Sequence, residues 1–506
     1  MGGVIGRAKG ENNCNIGCIN KSGKIGEISR MSEQRRILYG LDDVPKPFPK
    51  ALGLGIQHVL TMFGATVAVP LLLAGAMEMT AQETSVLVAA AMLAAGVATL
   101  LQVNLGTRLP LVQGMSFAFL GPFFAIIGTI SGRGGDPATI MTYIAGAIIL
   151  GSFVEMFVGF SGLIGKIQNV LTPVVIGPVI ALIGLALFGA GAPMAGENWL
   201  LSGIVIVSIF YLTLVLGRKK PMISVFSILM SVAIAYGVAV ILTVTGVYGA
   251  TTPGAVDFSP IADADFIRTG LIFPWGLPRF DLGFFLAVMA AYLASLIESY
   301  GDYHAVNQAA KGPELTEKQV SRGIGMEGVG CFFAGMFGGL ANTSYTENIG
   351  LVGLTGVASR YVVNIGAVVL IFLGIFGKFG GAVATIPSPI VGGLYTALFG
   401  LIAAIGISNT AKADLSSIRN MMIIGFILFM GLSVPAYFQG LEAAGITFAP
   451  SWPQWLAEIV STIGQTSMAV AAILGLILDN VIPGTPEERG ISPKSTEKLI
   501  SEKDRC

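Results

Sequence analysis

Three carboxylates sit where an otherwise apolar chain has least reason to carry them. Glu298 and Asp302 belong to Ile297-Glu298-Ser299-Tyr300-Gly301-Asp302-Tyr303. Glu347 opens the decamer Glu347-Asn348-Ile349-Gly350-Leu351-Val352-Gly353-Leu354-Thr355-Gly356. Polar groups are costly in hydrocarbon, so within membrane sequence they line cavities or ion paths rather than face lipid. Glu298 and Asp302 are four residues apart, which puts both on one helix face. Two close carboxylates with no basic neighbour do not both ionise readily, which suits the pair to binding and releasing a proton. The two patches together predict a small-molecule site at membrane depth. Gln57-His58, one turn into the first apolar run, reads as polar support for that site or as a histidine satisfied between helices. Phe117, in Ser116-Phe117-Ala118-Phe119, can stack on a planar ring, although packing is the ordinary role of such a residue. His304 is assigned no role.

Composition says what must position these groups. Of 506 residues, 54% are hydrophobic and 11% charged, and the mean hydropathy is +0.78. Soluble domains carry about 25% charged residues, so the chain is an all-α polytopic membrane protein. Its zero net charge suggests no nucleic-acid partner. The 68 glycines allow close helix–helix contact in lipid, and Gly335/Gly339 read as packing positions. Two histidines in the whole chain make a metal centre improbable. No Walker-type glycine loop occurs to indicate ATP drive. A channel would need a symmetric ring of carbonyls or charges. The expectation is a transporter, not an enzyme, without a cofactor. Cys14, Cys18, Cys331 and Cys506 form no disulfide framework, and Cys14-x3-Cys18 lacks further metal ligands. Residues 1–49 are polar and basic without an apolar signal core, and read as a disordered cytoplasmic tail rather than a signal peptide. Met31 offers a second start, which would make residues 1–30 an extension.

Windows of about 20 apolar residues mark spanning helices. They fall near 51–75, 83–104, 111–130, 138–162, 168–191, 199–217, 222–246, 281–306, 323–341, 344–358, 359–378, 384–407, 418–438 and 455–478. That is fourteen spans, numbered here 1 to 14, with spans 3 and 10 the least helix-like. Fourteen spans put both termini on one side. If that side is cytoplasmic, inside loops hold eleven Lys/Arg against four outside, a positive-inside bias. The chain reads as a multi-pass protein of the plasma membrane.

An internal repeat relates the two halves. Pro173-x-Val175-x-Gly177-x3-Ala181-Leu182-x-Gly184-Leu185 recurs 216 residues later as Pro389-x-Val391-x-Gly393-x3-Ala397-Leu398-x-Gly400-Leu401. These are spans 5 and 12. Seven spans per repeat, an odd number, force the copies into opposite orientations, the arrangement of secondary transporters that bind substrate near the midplane. Spans 3 and 10 are equivalent in the same scheme. Each begins with polar, extended-favouring residues and then turns helical, which frees backbone groups to line a cavity and points a positive helix end into it.

With these residues in hand, the chain resembles the nucleobase–ascorbate transporter family, also called nucleobase:cation symporter-2, over roughly residues 45–480. The family motif, Gln/Glu/Pro-Asn-x-Gly-x4-Thr-Arg/Lys/Gly, is matched by Glu347, Asn348, Gly350, Thr355 and Gly356. Gln57-His58-x4-Phe63-Gly64-Ala65-Thr66-Val67 and Ser116-Phe117-Ala118-Phe119 are similar to bacterial uracil permeases. The Glu298–Tyr303 string is closer to the urate/xanthine and ascorbate branches. The resemblance implies a seven-plus-seven inverted repeat, with a core domain of residues 50–162 and 281–380 (spans 1–4 and 8–11). It implies a gate domain of residues 163–280 and 381–480 (spans 5–7 and 12–14), and a C-terminal cytoplasmic tail, 481–506. It also implies elevator-like movement of core against gate and a homodimer through the gates. Carried over, Glu298 and Glu347 accept the N–H groups of a base, Phe117 stacks on its ring, and backbone near Ser116 and Thr346 meets its carbonyls. Asn348 and Thr355 shape span 10 and influence selectivity. Glu347 argues against ascorbate, Asp302 favours xanthine or urate, and Glu347 favours uracil. The adopted expectation is import of an oxidised purine, xanthine or urate, by proton symport through Glu298 and Asp302. Uracil is the alternative substrate and Na+ the alternative ion. An anion exchanger of the same general fold is the alternative of another class.

Overall fold

The computed structural model describes residues 37–164, 170–446 and 448–491. Among the described residues, nine helices are long and apolar enough to cross a membrane unaided, including Phe48–Ala76, Ala81–Asn104, Leu282–Ala309 and Ser388–Thr410. The other predicted spans are shorter, interrupted or more charged helices. Polar caps fix where several begin. Thr80 and Glu83 form a reciprocal capping box at Ala81–Asn104, Thr316 and Gln319 form another at Glu317–Met336, and Asp281 caps Leu282–Ala309. Such residues satisfy the first, otherwise orphaned N–H groups where each helix leaves its loop.

Spans 3 and 10 are broken, as their composition predicts. Gln113–Met115 (β1) and Asn342–Ser344 (β2) form a two-stranded antiparallel sheet that pairs Gln113 with Ser344 and Met115 with Asn342. A 3-10 turn, Phe117–Phe119, and a helix, Leu120–Gly132, follow β1; a helix, Thr346–Thr355, follows β2. Pairing the two extended segments with each other satisfies backbone groups that hydrocarbon could not. Gly114 is required here: a Cβ on it would lie 2.6 Å from the Tyr345 ring.

In the core, spans 2, 4, 9 and 11 pack on one another; in the gate, spans 5, 6, 12 and 13 pack together with Ser467–Val481, whereas Gln454–Gly464 lies mainly against span 8. The repeat-related helices of the gate cross each other through small residues. A methyl on Gly184 would lie 2.2 Å from the Phe399 carbonyl oxygen, and one on Gly177 2.2 Å from Thr410 Oγ1. In the core, Gly335 packs against Ile149 and Gly339 against Ala90, which is the packing role expected of them.

Four boundaries need correction. The loop after span 7 was grouped with the gate, but its second half lies on the core. Arg268 N donates to the Ile375 carbonyl, Phe273 N to Met336, Arg279 N to Thr142, and the Trp275 indole to Gly338. An extended loop needs partners for its backbone, and the ends of spans 4, 9 and 11 supply them. Residues 37–49 are structured: Leu38 N bonds the Gly356 carbonyl, Arg360 N bonds Leu41, and Arg360 pairs with Asp42. The C-terminal tail likewise begins as structure. Asp479, 1% exposed, receives Thr172, Arg419 and Arg489, and the Glu488 carbonyl takes Asp414 N. The Ser416 hydroxyl and N–H beside Asp414 hold that carboxyl below the usual carboxylate range. Span 14 is two helices, Gln454–Gly464 and Ser467–Val481, broken at an extended Thr466. Cys14, Cys18 and Cys506, with the rest of both tails, lie outside the described residues.

Candidate functional site

Core and gate enclose a cavity of about 760 Å³. The paired strands and span 8 build its core wall. Met115, Ser116 and Phe117 come from span 3, Thr346 and Glu347 from span 10, and Glu298 and Asp302 from one face of span 8. The gate wall is aliphatic, with Ile176, Ile180 and Ile183 from span 5 and Leu398, Ile402 and Ile405 from span 12. At one end the cavity reaches Asn409, Lys412, Gly490 and Ile491, where the C-terminal segment folds back.

The core wall is held by bonds between its own elements. Thr346 Oγ1 donates to Asp302, 3.1 Å from each carboxylate oxygen, and so ties span 10 to span 8. Tyr345 Oη donates to the Met115 carbonyl at 3.0 Å and accepts from Thr66 at 3.2 Å. Ser116 caps the 3-10 turn, its hydroxyl accepting from Ala118 N. Among the described residues, neither Glu298 nor Glu347 has a side-chain hydrogen-bond partner, and both line the cavity. Helix Thr346–Thr355 begins at the cavity and has no side-chain cap from its N-cap residue Tyr345, which leaves the positive end of the helix there. Phe117 lines the same cavity and meets Phe399 of the gate edge-on, ring centroids 6.4 Å apart. Behind Phe399 stacks Tyr395, whose hydroxyl crosses to the core and donates to the Ala68 carbonyl at 2.6 Å.

The predicted residues divide. Glu298, Asp302, Glu347, Phe117, Ser116 and Thr346 come together in the cavity. Asn348 and His58 lie behind it and hold each other: Asn348 Nδ2 donates to the His58 carbonyl at 3.0 Å and sits 3.2 Å from His58 Nδ1. Gln57 does not reach the site. It points the other way around span 1, and its amide meets Met222 of the gate at 3.1 Å. Thr355 is also outside the cavity. Its hydroxyl bonds the Leu351 carbonyl and accepts from Val357 N, closing the helix before Gly356 at φ +66°.

Two buried carboxyls escaped the sequence reading. Glu327 of span 9 receives the hydroxyls of Ser295, Ser299 and Tyr303 at 3.1, 2.8 and 2.9 Å. Glu155 of span 4 is 1% exposed. The signal was available in Phe153-Val154-Glu155-Met156 and Gly325-Met326-Glu327-Gly328, each a lone acid inside an apolar helix. It was overlooked because neither acid has a polar neighbour in sequence.

Two halves that share a repeated sequence, broken helices meeting at a central cavity and a polar core against an apolar gate define a membrane transporter. The chain belongs to the xanthine/uracil, or nucleobase–ascorbate, permease family, whose sequence profile matches residues 49–440. It is 35% identical to human solute carrier family 23 member 2, over 90% of this chain and 76% of that one. It is also 35% identical to nucleobase-ascorbate transporter 2 of Arabidopsis thaliana, over 92% of this chain and 93% of that one. Among solved structures, the transmembrane domain of a cyanobacterial bicarbonate transporter, BicA, shares the fold at a TM-score of 0.53 and 14% identity, covering 84% of this chain and 99% of that one. The murine anion transporter Slc26a9, in its inward-facing state, does so at 0.51 and 12%, covering 95% and 76%.

Proposed function

We propose that the protein imports a nucleobase of the oxidised purine type, xanthine or urate, by proton symport, the core carrying the base past the gate. The observation that carries this reading is the pair Glu298 and Glu347, two carboxyls without side-chain partners in a cavity that also presents an aromatic ring, Phe117. Imide N–H groups satisfy carboxylate oxygens, an aromatic face suits a planar heterocycle, and the uncapped start of span 10 offers donors to ring carbonyls. A protonated Glu298 completes the site, and release on the other side follows its proton loss. The wall asymmetry supports elevator movement, because a smooth aliphatic gate offers the base nothing to hold it back. If the tails are cytoplasmic, as the positive-inside bias indicates, the cavity mouth at Lys412 and Ile491 faces the cytoplasm. A homodimer through the gates, in the plasma membrane, belongs to the same reading.

Uracil is kept as the second substrate because Glu347 is the residue uracil-type members carry. Two acids in the site oppose the anion-exchange reading of the fold, although the solved neighbours carry anions by name. An uptake screen of xanthine, urate, uracil, guanine and ascorbate at two pH values tests the substrate. Glu298→Gln is expected to abolish uphill, proton-driven accumulation while sparing binding. Undiminished uphill uptake by that variant overturns the proton scheme, and a Na+ requirement at constant pH replaces it. Bicarbonate or sulfate exchange without base uptake overturns the substrate class.

A further inference from the structure

The buried acids Glu155 and Glu327 have no part in the reading above, yet they are wired to it. Spans 4 and 9 touch beside them: a methyl on Gly328 would lie 2.8 Å from Met156 N and 3.0 Å from the Ser152 carbonyl oxygen. Glu155 faces Glu327 there, with the Cys331 thiol beside it. A thiol is a weak donor, and neither carboxyl oxygen of Glu155 has a geometric hydrogen-bond partner. The other titratable groups facing the pair are Tyr292 and Tyr303 of span 8, and the cavity acids Glu298 and Asp302, also on span 8, act on Glu327. None of these groups is cationic. Two ionised carboxylates in that setting would leave two uncompensated buried charges, a costly state, so the pair holds a proton firmly. A single proton between them removes one charge, and the three hydroxyls on Glu327 stabilise the other.

A path connects this pair to the cavity. Ser299 Oγ lies 2.8 Å from Glu327 Oε1, 3.0 Å from Ser344 Oγ and 3.2 Å from Thr343 Oγ1. Ser344 and Thr343, on β2, line the cavity. Hydroxyls in such a row relay protons, since each can accept one while passing on its own.

We propose that Glu155 and Glu327 together hold one exchangeable proton, and that Ser299 with Ser344 or Thr343 carries it between the pair and the substrate cavity. When the shared proton is on Glu327, Glu327 gives it to Ser299 Oγ as Ser299 turns its own hydroxyl proton toward the β2 hydroxyl and passes it on. That hydroxyl releases its proton to water or a base in the cavity. One proton leaves and the pair gains one negative charge. The same bonds in reverse refill it. The pair's place in transport rests on the proton-symport reading, whereas its proton does not require any particular substrate.

Infrared difference spectra of the full chain in lipid, recorded between acid and alkaline buffer without substrate, read protonated buried carboxyls directly. The carboxyl C=O band is expected to titrate in the parent protein and to be lost or displaced along the pH axis in Glu155→Gln. In Ser299→Ala, which keeps both acids, the band is expected to persist but to follow a pH jump several-fold more slowly. A band unchanged in Glu155→Gln overturns the shared proton, and an unchanged exchange rate in Ser299→Ala overturns the wire. Uphill uptake by Glu298→Gln tests the symport reading and the Glu155→Gln difference spectrum tests the pair, so the two failures register in different measurements.

Discussion

The two walls of the cavity share its space and almost nothing of its chemistry. The core wall presents Glu298, Asp302, Glu347, Thr346, Ser116 and Phe117, while the gate wall presents isoleucine and leucine from spans 5 and 12. The core residues are also bound to one another, through Thr346 to Asp302 and through Tyr345 to Met115. The isoleucines and leucines opposite have only packing to hold them. A ligand recognised by both walls would have to break bonds to one of them whenever core and gate slid apart. A ligand recognised by the core alone moves with it. Under the proposed function, the asymmetry would give recognition to one body and guidance to the other, and substitutions in the two walls are then expected to differ in size and in kind.

The largest effect falls on the core. Glu347→Gln exchanges a charged acceptor for a neutral amide at the start of span 10. Hydrogen bonds to charged groups are worth about 1.5–3 kcal/mol, which is roughly tenfold or more in Kd. Binding of the preferred base to the detergent-solubilised protein, by calorimetry or thermal shift, measures it. An unchanged Kd would remove Glu347 from the recognising wall and with it the clearest difference between the two walls.

Asp302 comes next, and its effect is indirect. It accepts Thr346 Oγ1 with both oxygens and so places the span 10 residues relative to span 8. Asp302→Ala leaves Thr346 without its partner and is expected to weaken binding by several-fold. Asp302→Asn keeps an acceptor and is expected to retain most of the affinity. If the two variants fall equally, Asp302 acts through its charge rather than as a tie.

What the sequence showed and what it hid follow the same division. That Glu298 and Glu347 line a cavity was legible because acids in apolar runs have few structural excuses, and Phe117 lines it with them. The break in spans 3 and 10 was legible from Pro110, Gly114 and the polar run at Asn342–Thr346. The gate wall was invisible, since aliphatic residues in a membrane helix look alike whether they meet lipid, protein or a cavity. Gln57 and His58 part company because His58 is in contact with Asn348, Gln57 meets Met222, and a helix turns adjacent residues about 100° apart. The C-terminal clasp was missed for a different reason. Arg419, Asp479 and Arg489 meet only in the fold, and their separations in the chain carry no periodicity to betray them.

Tyr395→Phe probes movement rather than recognition. Tyr395 is fully buried in the gate and donates to the Ala68 carbonyl of the core, a bond that the proposed sliding would have to break. Removing a neutral hydrogen bond of about 0.5–1.5 kcal/mol is expected to shift the balance between facing states by roughly two- to tenfold, with little change in intrinsic affinity. Thiol labelling of a cysteine introduced at Ile176, on the cavity's gate wall, reports that balance. A change confined to Kd would return Tyr395 to the recognising side.

The smallest effect is expected of the gate's aliphatic residues, and it tests the comparison most sharply. Ile402→Val removes one methylene from the gate wall, a change that costs about 0.5–1.5 kcal/mol of stability where a side chain is fully packed. Ile402 is only partly buried, so its stability cost lies toward the lower end. A guiding surface needs apolar character and smoothness, and valine keeps both. Kd is therefore expected to stay within roughly threefold, under about 0.7 kcal/mol, while Ile402→Asn, which offers the base a hydrogen-bonding stop on the gate, is expected to slow transport without weakening binding. A slowed carrier with intact affinity would mean that the gate works by having nothing to say to the substrate. A loss of affinity in the valine variant would mean that the base is recognised from both sides, and that the core does not carry it alone.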